Sequence, residues 1–160
     1  ETDNEQKLYR RSMYTYWKRS APMPNMVAFD APTREKCVIQ RPRTNTPMQA
    51  LVTMNDVQFV EAARIFVQRG LQQGGADFDS HLEYAFLLTT ARPAVDLRKR
   101  VFRDLYDSQL KEFTANKKRA EDLLNFGESK RDESVDSARH AAWTTVASAI
   151  LNLDEVLTKE

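Results

Sequence analysis

The sequence predicts an all-α domain, and three observations carry that expectation. Apolar residues recur at helical spacing along most of the chain. Glycine is scarce, at four residues in 160, and five of the six prolines lie at or before residue 47. The one strand-like run, Cys37-Val38-Ile39, is too short to build a sheet alone. Together these describe a single domain over residues 1–160, long enough to bury a core, with five to six helices and a long Pro/Arg-rich N-terminal loop.

The first expected helix runs from Asn4 to Arg19. Tyr9, Met13, Tyr16 and Trp17 share one face, while Arg10, Tyr14 and Lys18 take the other. Pro22 ends it, and proline-punctuated extended backbone follows over 20–46. A loop of that length is either functional or fastened by specific contacts. The next start is a capping box. Thr46 caps, Pro47 fills the first helical position, and Gln49 reaches back to the cap amide. A short helix is expected over 47–54. A second box at Asn55-Asp56-Val57-Gln58, with Asn55 as cap, opens a helix over 56–72. Phe59, Ala63, Phe66 and Val67 face inward there, and Gly70, Gly74 and Gly75 mark the end.

A helix over 79–91 carries Leu82, Ala85 and Phe86. Pro93 starts the next, which runs to 115 with a stripe of Phe102, Leu105, Tyr106, Leu110 and Phe113. Arg100–Asp104, Arg103–Asp107 and Asp107–Lys111 form i,i+4 pairs on its wet side. A helical turn over 117–126 stops at Gly127, and the charged stretch 128–134 reads as solvated. The last helix is expected over 136–157, with Ala142, Val146, Ala149, Ile150, Leu153 and Leu157 on its buried face.

Composition excludes several functions. Lys plus Arg number 24 and Asp plus Glu 23, a balance that argues against a nucleic-acid binder. No run of about 18 apolar residues exists, so no membrane span is expected. One cysteine, Cys37, allows neither an internal disulfide nor a thiol metal cluster. No haem-attachment motif, phosphate-cradling glycine loop or Gly-x-Ser-x-Gly elbow occurs. His81 and His140 have no partner at i+3 or i+4, so they read as surface or packing residues, and no metal site is expected. Cys37 could act as a nucleophile partnered by His81 or His140, but its apolar flanks suggest a small buried hydrophobe. Acid pairs such as Asp30 with Glu35, or Asp154 with Glu155, are not selected by spacing among 23 acids.

The strongest feature is a cluster of arginines and aromatics. Arg10, Arg11, Tyr14, Trp17, Lys18 and Arg19 fall on the first element, and Arg34, Arg41 and Arg43 on the loop after it. Guanidinium forks suit carboxylate, sulfate or phosphate, and aromatic faces stack on sugars. A candidate ligand or partner surface therefore comprises Arg10, Arg11, Tyr14, Trp17, Arg19, Asp30, Arg34 and Arg43. The competing reading is that these arginines fasten the loop by pairing with Asp30, Glu35, Asp56 and backbone carbonyls. Charge also drifts along the chain. Residues 1–46 hold nine basic and five acidic groups, and residues 121–160 hold four and nine.

Several motifs occur in order across the chain. They are Arg10-Arg11-Ser12 with Tyr14-Thr15-Tyr16-Trp17-Lys18-Arg19, Phe29-Asp30-Ala31-Pro32 with Arg34-Glu35-x-Cys37, and Arg43-Thr44-Asn45-Thr46-Pro47-x-Gln49-Ala50-Leu51 with Asn55-Asp56. Ala142-Trp143, Leu151-Asn152-Leu153-Asp154-Glu155 and Thr158-Lys159-Glu160 follow. The set resembles a planctomycete-type domain of unknown function that closes large exported proteins. The resemblance implies a parent with a cytochrome-c-like domain and a second planctomycete-specific domain upstream, so any haem c would lie outside this segment. It implies an exported, periplasmic or cell-surface location and neighbours related to sulfatases and polysaccharides. A chain that begins at Glu1 without Met fits a fragment of such a parent. The expected role is a non-catalytic scaffold or docking module whose partners are upstream domains or other subunits. The alternatives are part of an enzyme or binding site for sulfated or acidic polysaccharide, and a docking surface for a redox partner.

Overall fold

The computed structural model describes residues 9, 12–18, 20–40, 42, 44–75 and 77–158. Eight α-helices and no strand lie among them, so the domain is all-α. The count exceeds five to six because a short helix sits inside the N-terminal loop and the last helix is broken in two.

Residues 12–18 do not continue a helix. Ser12–Tyr14 form a single 3-10 turn, and the chain is irregular through Lys18. Apart from Tyr9, the rest of the expected helix over 4–19 falls on residues outside the described set. Tyr14-Thr15-Tyr16-Trp17 lose side-chain rotamer freedom in a helix, and Met13, Tyr14 and Tyr16 stay exposed, so burial does not offset that loss. The loop over 20–46 is not wholly extended either. Helix α1 (Pro24–Ala28) begins with proline at its first turn. Phe29 then packs against Phe59 at a tilt, with ring centroids 5.9 Å apart.

Helix α2 (Pro47–Asn55) starts at the capping box. The Gln49 amide donates to Thr46 Oγ1 at 3.4 Å, and the Thr46 amide donates to Gln49 Oε1 at 3.2 Å. Helix α3 (Val57–Gln73) is capped by Asp56 and not by Asn55. Asp56 Oδ1 accepts from the Gln58 amide at 2.9 Å. Asn55 remains inside α2 and turns its Nδ2 back to the Leu51 carbonyl. A side chain one residue earlier cannot reach both the cap position and the α3 amides.

Helix α4 (Phe78–Thr90) ends at Ala91 in the left-handed region, at φ 57°. Helix α5 (Asp96–Ala115) starts three residues after Pro93, because Ala94 enters the core and Val95 turns the chain. Its wet side clasps other helices and not itself. Arg103 reaches Asp79 at 2.7 Å, Lys99 reaches Glu83 at 2.5 Å, and Arg98 pairs with Glu155. Helix α6 (Lys117–Leu124) is capped by Asn116.

Helix α7 (Ser137–Leu151) is the centre of the fold. Nine of its fifteen residues are buried, on every side, so it is a core helix and not an amphipathic surface one. Its alanines let neighbours approach closely. It packs against α3, α4, α5 and α6. Trp143 stacks on Phe78 at 4.9 Å, lies 5.0 Å from Tyr106, and meets His81 edge-on at 5.6 Å. One apolar cluster joins Ala63, Val67, Leu82, Phe86, Phe102 and Val146. A second joins Phe113, Ala120, Leu124, Ala138, Ala141 and Ala142. The expected single helix over 136–157 breaks after Leu151. Asn152 Oδ1 lies 2.8 Å from the Thr53 hydroxyl, and Leu153 turns extended before helix α8 (Asp154–Leu157).

Candidate functional site

The predicted surface divides when folded. Arg10, Arg11, Arg19 and Arg43 lie outside the described residues. Tyr14 is exposed on the 3-10 turn. Trp17 is half-buried, and the Arg34 guanidinium lies 5.3 Å from its ring centre, a cation–π pair. Arg34 holds φ at 63°, a left-handed backbone unusual for a long side chain.

Asp30 belongs to a different arrangement. Its Oδ2 accepts from the Thr44 amide at 2.9 Å and from the Thr44 hydroxyl at 2.7 Å. Gln49 Nε2 donates to Thr44 Oγ1, which links the loop to the α2 cap. Asn45 Nδ2 donates to Asp154 Oδ1 at 2.6 Å, tying the loop to α8. Thr53 closes on Asn152 from the same side. The loop is thus fastened by hydroxyl and amide side chains on carboxylates. Cys37 is exposed and not a buried hydrophobe, because Val38 and Ile39 beside it also point to solvent.

A second polar centre is buried and was not anticipated. Glu61 and Arg64, one turn apart on α3, are each only 1% exposed. The stretch 127–129 closes over them, so the expected solvated character of 128–134 does not hold at its start. The Ser129 amide donates to Glu61 Oε1 at 2.6 Å, and the Glu128 amide donates to Oε2 at 3.3 Å. Arg64 Nη2 donates to the Ser129 carbonyl at 2.7 Å and to its Oγ at 2.6 Å, and lies 3.7 Å from Glu61 Oε1. The Tyr9 hydroxyl donates to Glu61 from the N-terminal segment. Burial and the Glu61 carboxylate push that phenol up to about 12. Burial alone would raise Glu61, but hydrogen bonds from Ser129, Tyr9 and the Glu128 amide outweigh it and hold the carboxyl below its usual value.

His140 on α7 is fully buried beside this centre. Burial lowers its proton affinity, Arg64 and Arg131 push the same way, and the Arg64 carbonyl and Asp132 oppose them. His81 is buried too, with Nδ1 3.2 Å from the Gly70 carbonyl. It lines an apolar hollow of about 20 Å³ with Phe66, Leu71, Tyr84 and Trp143, room for roughly one water.

This geometry holds charge more readily than it does chemistry. Glu61 is a saturated, fully ionised acceptor, and a general base needs affinity near neutrality. The Ser129 hydroxyl accepts from a cation and donates to that carboxylate, so no base of suitable affinity activates it. Among the described residues no three His, Cys, Asp or Glu side chains gather as a metal site. Glu61, Arg64 and Gln68 did leave a sequence signal: polar residues at i, i+3 and i+7 beside the stripe Val60, Ala63, Val67. That pattern equally describes a wet helix face.

No curated protein and no solved structure matches the chain. Residues 1–106 match the family described as PSD1: protein of unknown function (DUF1553). The match ends inside α5, while the main apolar cluster draws on residues from both sides of that point. The matched part covers more than half of the sequence, and the chain belongs to the PSD1 (DUF1553) family of unknown function.

Proposed function

We propose that this chain is a non-catalytic docking module, packed against a neighbouring domain or subunit of a larger exported protein. The observation that carries the reading is the apolar surface at the α4–α5 corner. Leu87, Leu88, Val95, Leu97 and Val101 are all exposed there, with Leu97 at 70%. Leu97 and Val101 are one turn apart on α5 and so share a face. Contiguous exposed apolar surface marks an interaction site more often than single exposed residues do. The side-chain hydrogen bonds of Asp30, Thr44, Asn45, Gln49 and Asn152 support the same reading, because they fasten the N-terminal loop and α2 to the end of the chain and so hold the domain's shape. In such a parent any haem c belongs to an upstream domain. The test is calorimetric titration of the chain with the domains that adjoin it in its parent. Leu97→Glu with Val101→Glu should weaken association at least tenfold, about 1.4 kcal/mol, without lowering the melting temperature. Unchanged affinity would refute the docking face.

The Trp17–Arg34 pair favours a second reading, a surface for sulfated or acidic polysaccharide. Its ring and guanidinium are the elements that stack on sugar and fork onto sulfate. Trp143 is buried, so quenching of tryptophan fluorescence by dextran sulfate would report Trp17. The reading predicts salt-sensitive quenching that Arg34→Ala abolishes, and absence of quenching removes it.

A further inference from the structure

Near His140 several buried hydrogen-bond donors have no acceptor among the described residues. Arg64 is 1% exposed, yet its Nε and Nη1 have no hydrogen-bond acceptor among the described residues. Gln68 lies one turn further along the same face of α3, and its Nε2 is likewise buried without an acceptor. Arg131, on the loop before α7, buries Nη1 in the same condition and makes no ion pair among the described residues. His140 is fully buried, and neither ring nitrogen makes a hydrogen bond of good geometry. It lies within electrostatic reach of Arg64, Arg131 and Asp132, on the side of α7 that faces α3 and the 128–134 loop.

Two nearby carboxylates are already engaged. Glu61 accepts from Ser129, Glu128 and Tyr9. Asp132 Oδ1 accepts from the Ser134 amide and hydroxyl, and Gln72 also donates to this carboxylate. Native interiors rarely leave several donors in one place without partners. A water molecule would add donors of its own, whereas an oxyanion brings only acceptors. Guanidinium forks match its planar or tetrahedral oxygens.

We propose that Arg64, Gln68, Arg131 and His140 form a buried site for a small oxyanion, a carboxylate or a tetrahedral phosphate or sulfate. Arg64 and Arg131 supply the charge, and Gln68 and His140 complete the donor ring. Arg131 and Asp132 are only half-buried, so the 128–134 loop is the side from which the ion enters.

The test is thermal unfolding of the whole 160-residue chain in sodium sulfate, phosphate or acetate, against chloride at matched ionic strength. At least one oxyanion should raise the melting temperature saturably, and Arg131→Gln and Gln68→Leu should each weaken its apparent Kd at least tenfold. Arg131 and Gln68 are outside the Glu61 network, so these variants keep the latch that folds the loop. The oxyanion that saturates at lowest concentration identifies the geometry, planar or tetrahedral. In the folded wild type, the NMR resonance of the Arg64 Nε–H should also move with the same saturation. A rise that grows without saturating and is equal in both variants would be a general salt effect and would overturn the site. A still Arg64 resonance would do the same.

Discussion

At Gly127 a backbone and a buried charge meet. Its φ is 101°, a conformation that L side chains rarely adopt, and an added Cβ would lie 2.6 Å from Glu61 Oε2. No flexible tip can give way there, because Glu61 is held on several sides. Gly127→Ala should therefore destabilise the fold by about 2–3 kcal/mol, combining backbone strain with a clash at the carboxylate, read as a lower urea midpoint. An unchanged midpoint would mean that the loop does not seat on Glu61. The same residue explains why the stretch 128–134 is not solvated at its start. A run of charged residues reads as solvated, and only the close approach allowed by a glycine brings the Glu128 and Ser129 amides onto α3.

The best-foretold elements are those with local signals. Thr46, Pro47 and Gln49 are neighbours in sequence, so the start of α2 needs no tertiary information. Thr46→Ala removes the Oγ1 acceptor and should cost about 1 kcal/mol, while Thr46→Ser should cost little. Equal midpoints for Ala and Ser would place the cap elsewhere. Asn55 was misassigned because Asn and Asp are interchangeable caps by type, and one residue of register chooses between them. Over residues 12–18 the expected N-terminal helix is absent for another reason. Period alone marks a face, but Met13 and Tyr16 find no surface to cover, and Tyr9 instead reaches Glu61. The arginine and aromatic surface was half legible. Trp17 and Arg34 do meet, whereas Asp30 answers to Thr44, a partner that spacing could not name. The buried centre was illegible because its members come from α3, α7, a loop and the N-terminal segment.

Over the whole molecule, buried titratable groups set the pH limits of stability. His140 and His81 have lower proton affinity folded than their ordinary 6.5, mainly through burial. The unfolded chain therefore gains protons first as pH falls, so their contribution is complete above 6.5 and is lost below it. Glu61, held under its ordinary 4.5, adds a second loss as pH falls through that range. Tyr9 acts at the other end: its contribution is complete below 10 and is lost as pH rises from 10 to about 12. Urea midpoints against pH should show an acid limb beginning near 6.5, which His140→Phe shortens, and an alkaline limb that Tyr9→Phe shortens. Limbs identical to wild type in both variants would dissociate these groups from stability. The central position of α7 also has a consequence for biosynthesis. Helix α3 begins at Val57 and α7 at Ser137, so at ~5–20 residues per second the apolar face of α3 waits on the order of ten seconds for its partner. Until then the nascent chain leaves that apolar face without the helix that covers most of it.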